Sequence, residues 1–418
     1  MPSVLDPIRP PRAPRAAAAA LRAGDPLAWA GLAGAGVLAL YPLYWVGFTV
    51  LPLLGGSAGH AADFEVYWDA GRRVLQDPAR LYADRLFLYP PPASALFAPV
   101  ARLSLAAGYL VAAALNVALL AACVRAGERL HPRPPTGWAR AALWAAALGS
   151  APALQTVKFG QVGALVLLLS LAFLIWLPER PGQAGAALAL GVWIKLYPAV
   201  LGVFALQRAS WRAAAVGTAV ALAVPLVLLP WFPPELYLEY VLERLPRVTG
   251  RTVAATLNVG LPATVERLHL PASALLQYTP RPMSAAADLA GTLALLVGLG
   301  GAVVAWWRGA PLASAGVAAL AAVPVASPFA WEYTVLLAMP AALACLLVAR
   351  RGGTGVRVLA ALAMLVLLVQ KPPEFVLWAA AERLPGWLLD LFAARMLLAL
   401  AALAACAAWV LRAERRAG

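Results

Sequence analysis

Charged residues are scarce in this sequence. They make up 12% of its 418 residues, while 63% are hydrophobic; a typical soluble domain has about 25% charged and about 45–50% apolar residues. A soluble fold of this length could not bury so much apolar surface. The composition, with a mean hydropathy of +0.78, therefore excludes a soluble globular protein and predicts an all-α polytopic membrane protein.

Cysteine and acidic residues are also few. The three cysteines, Cys123, Cys345 and Cys406, lie in apolar stretches without the spacing of metal ligands, so we predict neither a disulfide framework nor a zinc site. Asp and Glu number 19 against 33 Lys and Arg, which gives a net charge of +14. Because the arginines cluster at the ends of apolar segments, the positive-inside rule explains this excess, and we predict no nucleic-acid partner.

Apolar segments of a length close to one membrane span recur along the whole chain. There are eleven, near residues 27–51, 105–125, 139–155, 160–177, 183–206, 212–231, 286–307, 311–326, 331–349, 356–370 and 391–411. We predict a single integral membrane domain over 27–411, with cytoplasmic tails at 1–26 and 412–418. The start of the chain is too long, too proline-rich and too polar for a signal peptide.

Two connections between the apolar segments stand out by their length, 52–104 and 232–285. Both are proline-rich and carry acids, tryptophans or tyrosines. The short basic loops place both termini in the cytoplasm, so the two long loops are predicted to be external. Termini on the same side require an even number of spans, which eleven segments do not provide.

The segment 183–206 offers a way to restore that parity. Lys195 and Pro198 interrupt its middle, and inside a membrane helix a lysine costs about 2.5–3.5 kcal/mol and a proline about 3 kcal/mol. Two half-helices meeting there give about 12 transmembrane helices. Broken backbone at membrane depth is tolerated only against protein or a water-filled cavity, so Lys195 is predicted to face a cavity open to the exterior.

The first external loop begins with acidic residues. In HAADFEVYWDAGRRVL, residues 60–75, Phe64, Tyr67 and Trp68 share one helical face and Asp63 lies near its start, which predicts a short amphipathic helix along the membrane interface. Its acids would then lie at the mouth of the cavity that Lys195 faces. A carboxylate that takes a proton from a hydroxyl, next to cations that neutralise a leaving phosphate, indicates sugar transfer from a polyprenyl phosphate.

The same stretches resemble glycosyltransferase family 87. The resemblance rests on the first loop with its FLYPPPASALFAPVARL end, KFGQVGALVLLL at 158–169, GVWIKLYPAVL at 191–201, TLNVGLPATVERL at 256–268 and SPFAWEYTVLLAMP at 327–340. It implies a GT-C-type bundle whose two long external loops carry short interfacial helices. It also implies a polyprenyl-phosphate donor of mannose or a related sugar, and an active site on the external face of the membrane.

The resemblance assigns roles to five residues. It implies that Asp63 is the catalytic base, that Lys195 contacts the donor phosphate, and that Gln161, Asn258 and Arg267 contact substrate. The chain departs from the family pattern directly after the asparagine, and SPFAWEY lacks the histidine often found near its tyrosine. These departures leave the sugar and the acceptor open.

Further candidates are polar side chains in the external loops or at a span end: Arg247 and Arg251 for the donor phosphate, and His60, His269, Glu332 and Tyr333 for the substrates. The expected reaction is a direct displacement with inversion, without a cofactor. The expected partners are the lipid donor, a glycolipid or glycan acceptor and the bilayer. The expected location is a bacterial plasma membrane.

Each assignment has a structural alternative. Asp63 could cap the interfacial helix, and Lys195 could extend to a lipid headgroup. Glu65 and Asp69 are predicted to be solvated or paired with nearby arginines, although Asp63 with Glu65 could also hold a divalent ion. The alternative function is a transporter or flippase of a lipid-linked or anionic solute, but the sequence shows no internal repeat of the kind many transporters have.

Overall fold

The computed structural model describes residues 13–57, 62–83, 86–207, 210–271, 278–370, 383 and 385–417. The described chain is almost entirely helical, which confirms the predicted fold class. The only described strands are two antiparallel pieces of two residues each, β1 (Arg251–Thr252) and β2 (Arg281–Pro282). His60, a predicted substrate contact, lies outside the described residues.

The α-helices are numbered here in chain order. They are α1 Ala13–Arg22, α2 Pro26–Leu54, α3 Ala62–Gln76, α4 Pro91–Ala95, α5 Leu105–Leu130, α6 Gly137–Leu148, α7 Ala151–Lys158, α8 Gly163–Trp176, α9 Pro181–Ile194, α10 Trp211–Leu228, α11 Pro234–Glu239, α12 Leu245–Thr249, α13 Leu261–Arg267, α14 Ala285–Trp307, α15 Leu312–Ala326, α16 Met339–Ala349, α17 Thr354–Leu368 and α18 Gly386–Ala417. Short 3₁₀-helices cover Pro78–Ala83, Val100–Arg102, Tyr197–Ala205 and Glu332–Ala338, and α2 contains a π-helical turn at Val46–Val50. A second π-helical turn, Tyr240–Arg244, joins α11 to α12.

Every one of the eleven predicted apolar segments overlaps at least one of these helices. Six helical stretches in the described part are long and apolar enough to cross a membrane: Pro26–Leu54, Leu105–Leu130, Trp211–Leu228, Ala285–Trp307, Glu332–Ala349 and Trp387–Arg416. The chain is therefore a multi-pass membrane protein. The total of about 12 spans stays a prediction, since several of the other apolar helices are shorter.

The predicted break at Lys195 is confirmed. Helix α9 ends at Ile194, Lys195 has an extended backbone with φ −157° and ψ 132°, and a 3₁₀-helix follows with Pro198 in its first turn. Proline lacks the N–H that a continuing α-helix needs and disfavours helical geometry in the residue before it. The break leaves the lysine side chain at the junction of two short helices.

Close helix packing fixes the segment that carries Gln161. Helices α2 and α6 approach at Gly31 and Gly34, where an added β-carbon would lie 2.4 Å from Ala142 and 2.3 Å from the carbonyl of Ala145. Small residues are what allow membrane helices to pack this tightly. Helix α7, which follows directly after α6, is thereby held beside α2.

The amphipathic helix predicted in the first loop is confirmed as α3. Phe64 and Tyr67 are buried on its inner face, while Asp69 forms an exposed ion pair of 3.8 Å with Arg73. Because α3 begins at Ala62, Asp63 lies within its first turn and not at the capping position. The alternative of an N-cap is therefore wrong, and α3 presents the carboxylate toward the protein interior.

Candidate active site

Asp63 and Lys195 face one pocket. Its volume is about 260 Å³. Its walls come from the first long loop, the α7–α8 connection, the break after α9, the second long loop near Tyr240–Arg244, and the chain around Trp331. The polar and aromatic residues that line it include Asp63, Gln161, Lys195, Tyr89, Trp331 and Tyr333. The structure thus brings together four residues that the sequence singled out: Asp63, Gln161, Lys195 and Tyr333.

The Asp63 carboxylate accepts two side-chain hydrogen bonds. Gln161 Nε2 donates to Asp63 Oδ2 at 2.5 Å, and the Tyr333 hydroxyl also donates to the carboxylate. Burial raises the pKa of Asp63 above its ordinary value, and these two hydrogen bonds and the positive charge of Lys195 lower the pKa in the opposite direction. A carboxylate with a raised pKa is a stronger base than an ordinary aspartate.

A turn between α7 and α8 delivers Gln161 to this carboxylate. Gly160 has a positive φ of 59°, and a β-carbon there would lie 2.8 Å from Phe64, so only glycine fits at this point. Gln161 is buried, and its Oε1 accepts a hydrogen bond of 2.8 Å from the Tyr67 hydroxyl. This second bond fixes the amide orientation, so that its nitrogen points to Asp63.

Lys195 lies among aromatic rings. Its Nζ is 4.9 Å from the ring centre of Tyr197, 5.3 Å from that of Tyr89 and 5.6 Å from that of Tyr333. Such contacts stabilise an ammonium group without neutralising it. Within the described residues, no carboxylate lies within 4.0 Å of Lys195, so its charge is available to an anion in the pocket.

The second loop supplies a frame for this pocket. The side-chain amide of Asn258 donates to the carbonyl of Pro328 at 2.6 Å and accepts from the backbone of Ala330 at 3.1 Å. Arg267 is buried, donates to the carbonyl of Asn258 at 2.7 Å, and has its pKa lowered to about 10 by burial. Both side chains are occupied by these bonds and neither lines the pocket, so a substrate contact for them stays a prediction.

Four other predicted contacts also lie apart from the pocket. Arg247 pairs at 3.9 Å with Glu243, and Arg251 donates to the carbonyl of Pro280 at 2.8 Å. His269 is exposed after α13. Glu332 is buried and forms an ion pair with Arg395 of α18. Their roles at the donor phosphate or the substrates stay predictions that the described pocket lining does not support.

Sequence reasoning missed the tyrosines of the site. Tyr67, Tyr89 and Tyr197 all line the pocket, and the hydroxyls of Tyr67 and Tyr89 are 2.7 Å apart. Two of the three stand directly before a proline, in YPPP and LYP. A tyrosine directly before a proline was the signal available in the sequence.

The described residues contain no group of three or more His, Cys, Asp or Glu side chains that could hold a metal ion. The pocket instead combines a base and a cation. The absence of a cofactor stays a prediction.

The fold and the pocket together define a multi-pass membrane protein with a carboxylate and an ammonium group facing one cavity. The chain belongs to glycosyltransferase family 87, whose family model matches residues 87–331. That match includes Gln161 and Lys195 and begins after Asp63.

Two curated proteins are similar to the chain. Each is a polyprenol-phosphate-mannose-dependent alpha-(1-2)-phosphatidylinositol mannoside mannosyltransferase. The one from Mycolicibacterium smegmatis is 34% identical over 252 residues, 53% of this chain and 54% of the relative. The one from Mycobacterium tuberculosis is 32% identical over 236 residues, 49% of this chain and 53% of the relative. The chain spans about half the length of the curated relatives it matches, and no solved structure matches it significantly.

Proposed function

We propose that this protein transfers mannose from polyprenyl-phosphate mannose to a hydroxyl group of a glycolipid or glycan acceptor. The observation that carries the proposal is that Asp63 and Lys195 line the same pocket. Membership of glycosyltransferase family 87 supports the reaction class, and the activity of the two mycobacterial relatives supports mannose and a polyprenyl-phosphate donor. These comparisons do not favour the transporter alternative.

The reaction is a single displacement at the anomeric carbon of the sugar. Asp63 takes the proton of the acceptor hydroxyl while the hydroxyl oxygen forms a bond to the anomeric carbon. The bond from that carbon to the phosphate oxygen breaks on the opposite face, which inverts the configuration. The polyprenyl phosphate leaves with the bonding electrons, and Lys195 stabilises its negative charge.

Gln161 and Tyr333 hold the base in position for this step. Both donate to the Asp63 carboxylate, which fixes its orientation and leaves it further lone pairs for the acceptor hydroxyl. Preorganised groups of this kind avoid reorganisation when the proton moves. The aromatic rings around Lys195 hold its ammonium group at the pocket.

The pocket is proposed to face the exterior of a bacterial plasma membrane. The arginines after the last apolar segment, Arg412, Arg415 and Arg416, support a cytoplasmic C-terminus. A glycolipid acceptor in the outer leaflet would then reach Asp63 from the membrane side. The relatives act on phosphatidylinositol mannoside, which supports an acceptor of the lipid class.

The test is a transfer assay with the purified protein in detergent and a short-chain polyprenyl-phosphate mannose. Release of polyprenyl phosphate is measured with and without a membrane-lipid acceptor fraction. We expect acceptor-dependent release that Asp63→Asn abolishes and that the control Asp69→Asn retains, because Asp69 lies on the same helix with a side chain 49% exposed. Binding of the donor without any release would contradict the proposal and favour the transporter alternative.

A further inference from the structure

A second lysine, Lys158, lies outside the catalytic pocket, among the apolar helices of the bundle. It is the last residue of α7, three residues before Gln161. Its Nζ donates to the Tyr44 hydroxyl at 3.1 Å and lies 5.0 Å from the ring centre of Tyr44 and 5.5 Å from that of Phe159. The side chain is partly exposed.

The position of Lys158 in the membrane follows from its neighbours. Its carbonyl accepts a hydrogen bond of 2.8 Å from the Tyr109 hydroxyl, which itself accepts one of 2.7 Å from Trp45 Nε1. Tyr109 belongs to α5 and Trp45 to α2, and both helices are long and apolar enough to cross a membrane. Tyr109 lies near the start of α5, so Lys158 is near the end of the spans that the long loops adjoin.

The charge of Lys158 has no acidic partner among the described residues. Two arginines at helix contacts differ from it in this respect: the buried Arg395 pairs with Glu332, and the more exposed Arg140 pairs with Glu128 at 2.6 Å. A cation among apolar helices is costly when no acid neutralises it, and an anionic ligand would offset that cost. Tyr44 supplies only a neutral hydroxyl.

An apolar groove begins beside this lysine. It has a volume of about 330 Å³, and its walls belong to α2, α5 and α7. Its lining is almost entirely apolar and includes Tyr41, Trp45, Leu110, Val117 and Val157. Val157 precedes Lys158, and the ring of Tyr41 is 5.8 Å from that of Tyr44.

The groove is open to the surroundings of the helix bundle. Leu110 is 38% exposed and Val117 55% exposed. At a rise of about 1.5 Å per residue, the stretch of α5 from Leu110 to Val117 covers roughly 10 Å along the helix. A hydrocarbon chain entering at Lys158 would run down this groove into the membrane.

We propose that Lys158 and this groove form a second lipid-phosphate site, which holds the acceptor lipid. The phosphate of the acceptor lies against Lys158, and a chain of the same lipid lies in the groove. The proposal rests on the proposed function, since that reaction uses a donor lipid whose phosphate is assigned to Lys195. A lipid acceptor requires a separate site for its own phosphate.

The location of Lys158 fits an acceptor site. Two aromatic rings separate it from Lys195: the Phe159 ring lies against Lys158 Nζ, and its centre is 6.1 Å from that of Tyr333, which borders Lys195. Lys158 also directly precedes, in the chain, the turn that brings Gln161 to Asp63. An acceptor anchored there enters beside the base that takes its proton.

A labelling experiment tests binding independently of turnover. The full-length protein in nanodiscs is irradiated with phosphatidylinositol that carries a photoreactive group in one acyl chain. We expect labels on the stretch 110–117, reduced about tenfold in Lys158→Met and retained in Lys158→Arg. Photoreactive diacylglycerol, which has no phosphate, is expected to label wild type and Lys158→Met equally.

Competition identifies which lipid occupies the site. Unlabelled phosphatidylinositol should suppress the label, whereas polyprenyl phosphate should not. Suppression by polyprenyl phosphate would assign the groove to the donor and overturn the proposal. Equal phosphatidylinositol labelling of wild type and Lys158→Met would also overturn it, because the groove would then take bulk lipid without recognising phosphate.

Kinetics provide the second readout. Ala114→Trp fills the groove, while Leu115→Trp places the same side chain on the same helix outside the groove lining. We expect Lys158→Met and Ala114→Trp to raise the KM for a lipid acceptor about tenfold without changing the KM for the donor, and Leu115→Trp to change neither. A raised donor KM instead would contradict an acceptor site. Absence of transfer in wild type with intact labelling would refute the proposed function but not this phosphate site.

Discussion

Two carboxylates next to Tyr333, one by a hydrogen bond and one in sequence, have opposite surroundings. Asp63 receives hydrogen bonds from two neutral donors, Gln161 and Tyr333, and borders a pocket. Glu332, the residue before Tyr333, is buried against the guanidinium of Arg395 and borders no described pocket. A carboxylate whose charge is neutralised inside the fold stabilises packing, while one that keeps its charge beside a cavity can take a proton.

This difference gives Arg395 a structural importance that the sequence did not indicate. The Glu332–Arg395 pair ties α18 to the segment that carries Trp331 and Tyr333 into the pocket. A second pair, Arg267 with Asp390 at 4.0 Å, joins α18 to the second loop. Helix α18 thus stabilises, through these two ion pairs, the chain segments that form and frame the pocket wall.

Replacing Asp63 with asparagine should give the largest functional effect. We expect the transfer rate to fall by about 10²–10⁴-fold, as for loss of a general base.

The same substitution should not lower stability. Burial raises the pKa of Asp63 in the folded protein. The contribution of the Asp63 side chain to folding stability is therefore present below the pKa that aspartate has in the unfolded chain, and it is lost as pH rises through the raised pKa. At neutral pH the charged form opposes folding, so the thermal midpoint of Asp63→Asn should equal or exceed that of wild type. A lower midpoint would mean that the carboxylate is structural.

Replacing Glu332 with glutamine should mainly lower the stability of the protein, in contrast to Asp63→Asn, which should mainly lower the transfer rate. It leaves Arg395 buried without a charged partner, and breaking a buried ion pair costs about 3–5 kcal/mol. We expect a large fall in the free energy of unfolding, measured by denaturant titration in detergent, and the same fall for Arg395→Met. The double variant Glu332→Leu with Arg395→Leu should recover most of this loss. Equal stability of Glu332→Gln and wild type would remove the distinction between the two carboxylates.

The pH dependence of transfer should reflect the environment of Asp63. The base acts only when deprotonated, so kcat/KM should rise with pH and level off above the pKa of Asp63. Because burial raises that pKa, the midpoint should lie above the ordinary value for aspartate, about 3.9. A profile that stays flat down to pH 4 would contradict the assignment. Asp69→Asn, on the exposed side of α3, provides the control profile.

Short sequence patterns predicted two parts of this site, the helix break at Lys195 and the helix that carries Asp63. Lys195 and Pro198, three residues apart in one apolar segment, predicted the break after α9, and an acid ahead of an aromatic helical face indicated Asp63 and α3. The tyrosines converge on the pocket only through the packing of three separate segments. Glu332 was assigned to the substrates because it is an acid at a span end. Its partner, Arg395, lies 63 residues further along the chain, and no local pattern connects the two.

Tyr333 donates to Asp63 and directly follows Glu332 in the chain. Its replacement by phenylalanine should give the smallest of these effects. The ring that borders Lys195 is kept, and only the hydroxyl that donates to Asp63 is lost. That hydrogen bond lowers the pKa of Asp63, so its loss should move the acidic limb of the rate profile to higher pH. We expect kcat/KM at neutral pH to fall about tenfold, with the free energy of unfolding close to wild type. A loss of stability as large as that of Glu332→Gln would place Tyr333 with the structural pair rather than with the base.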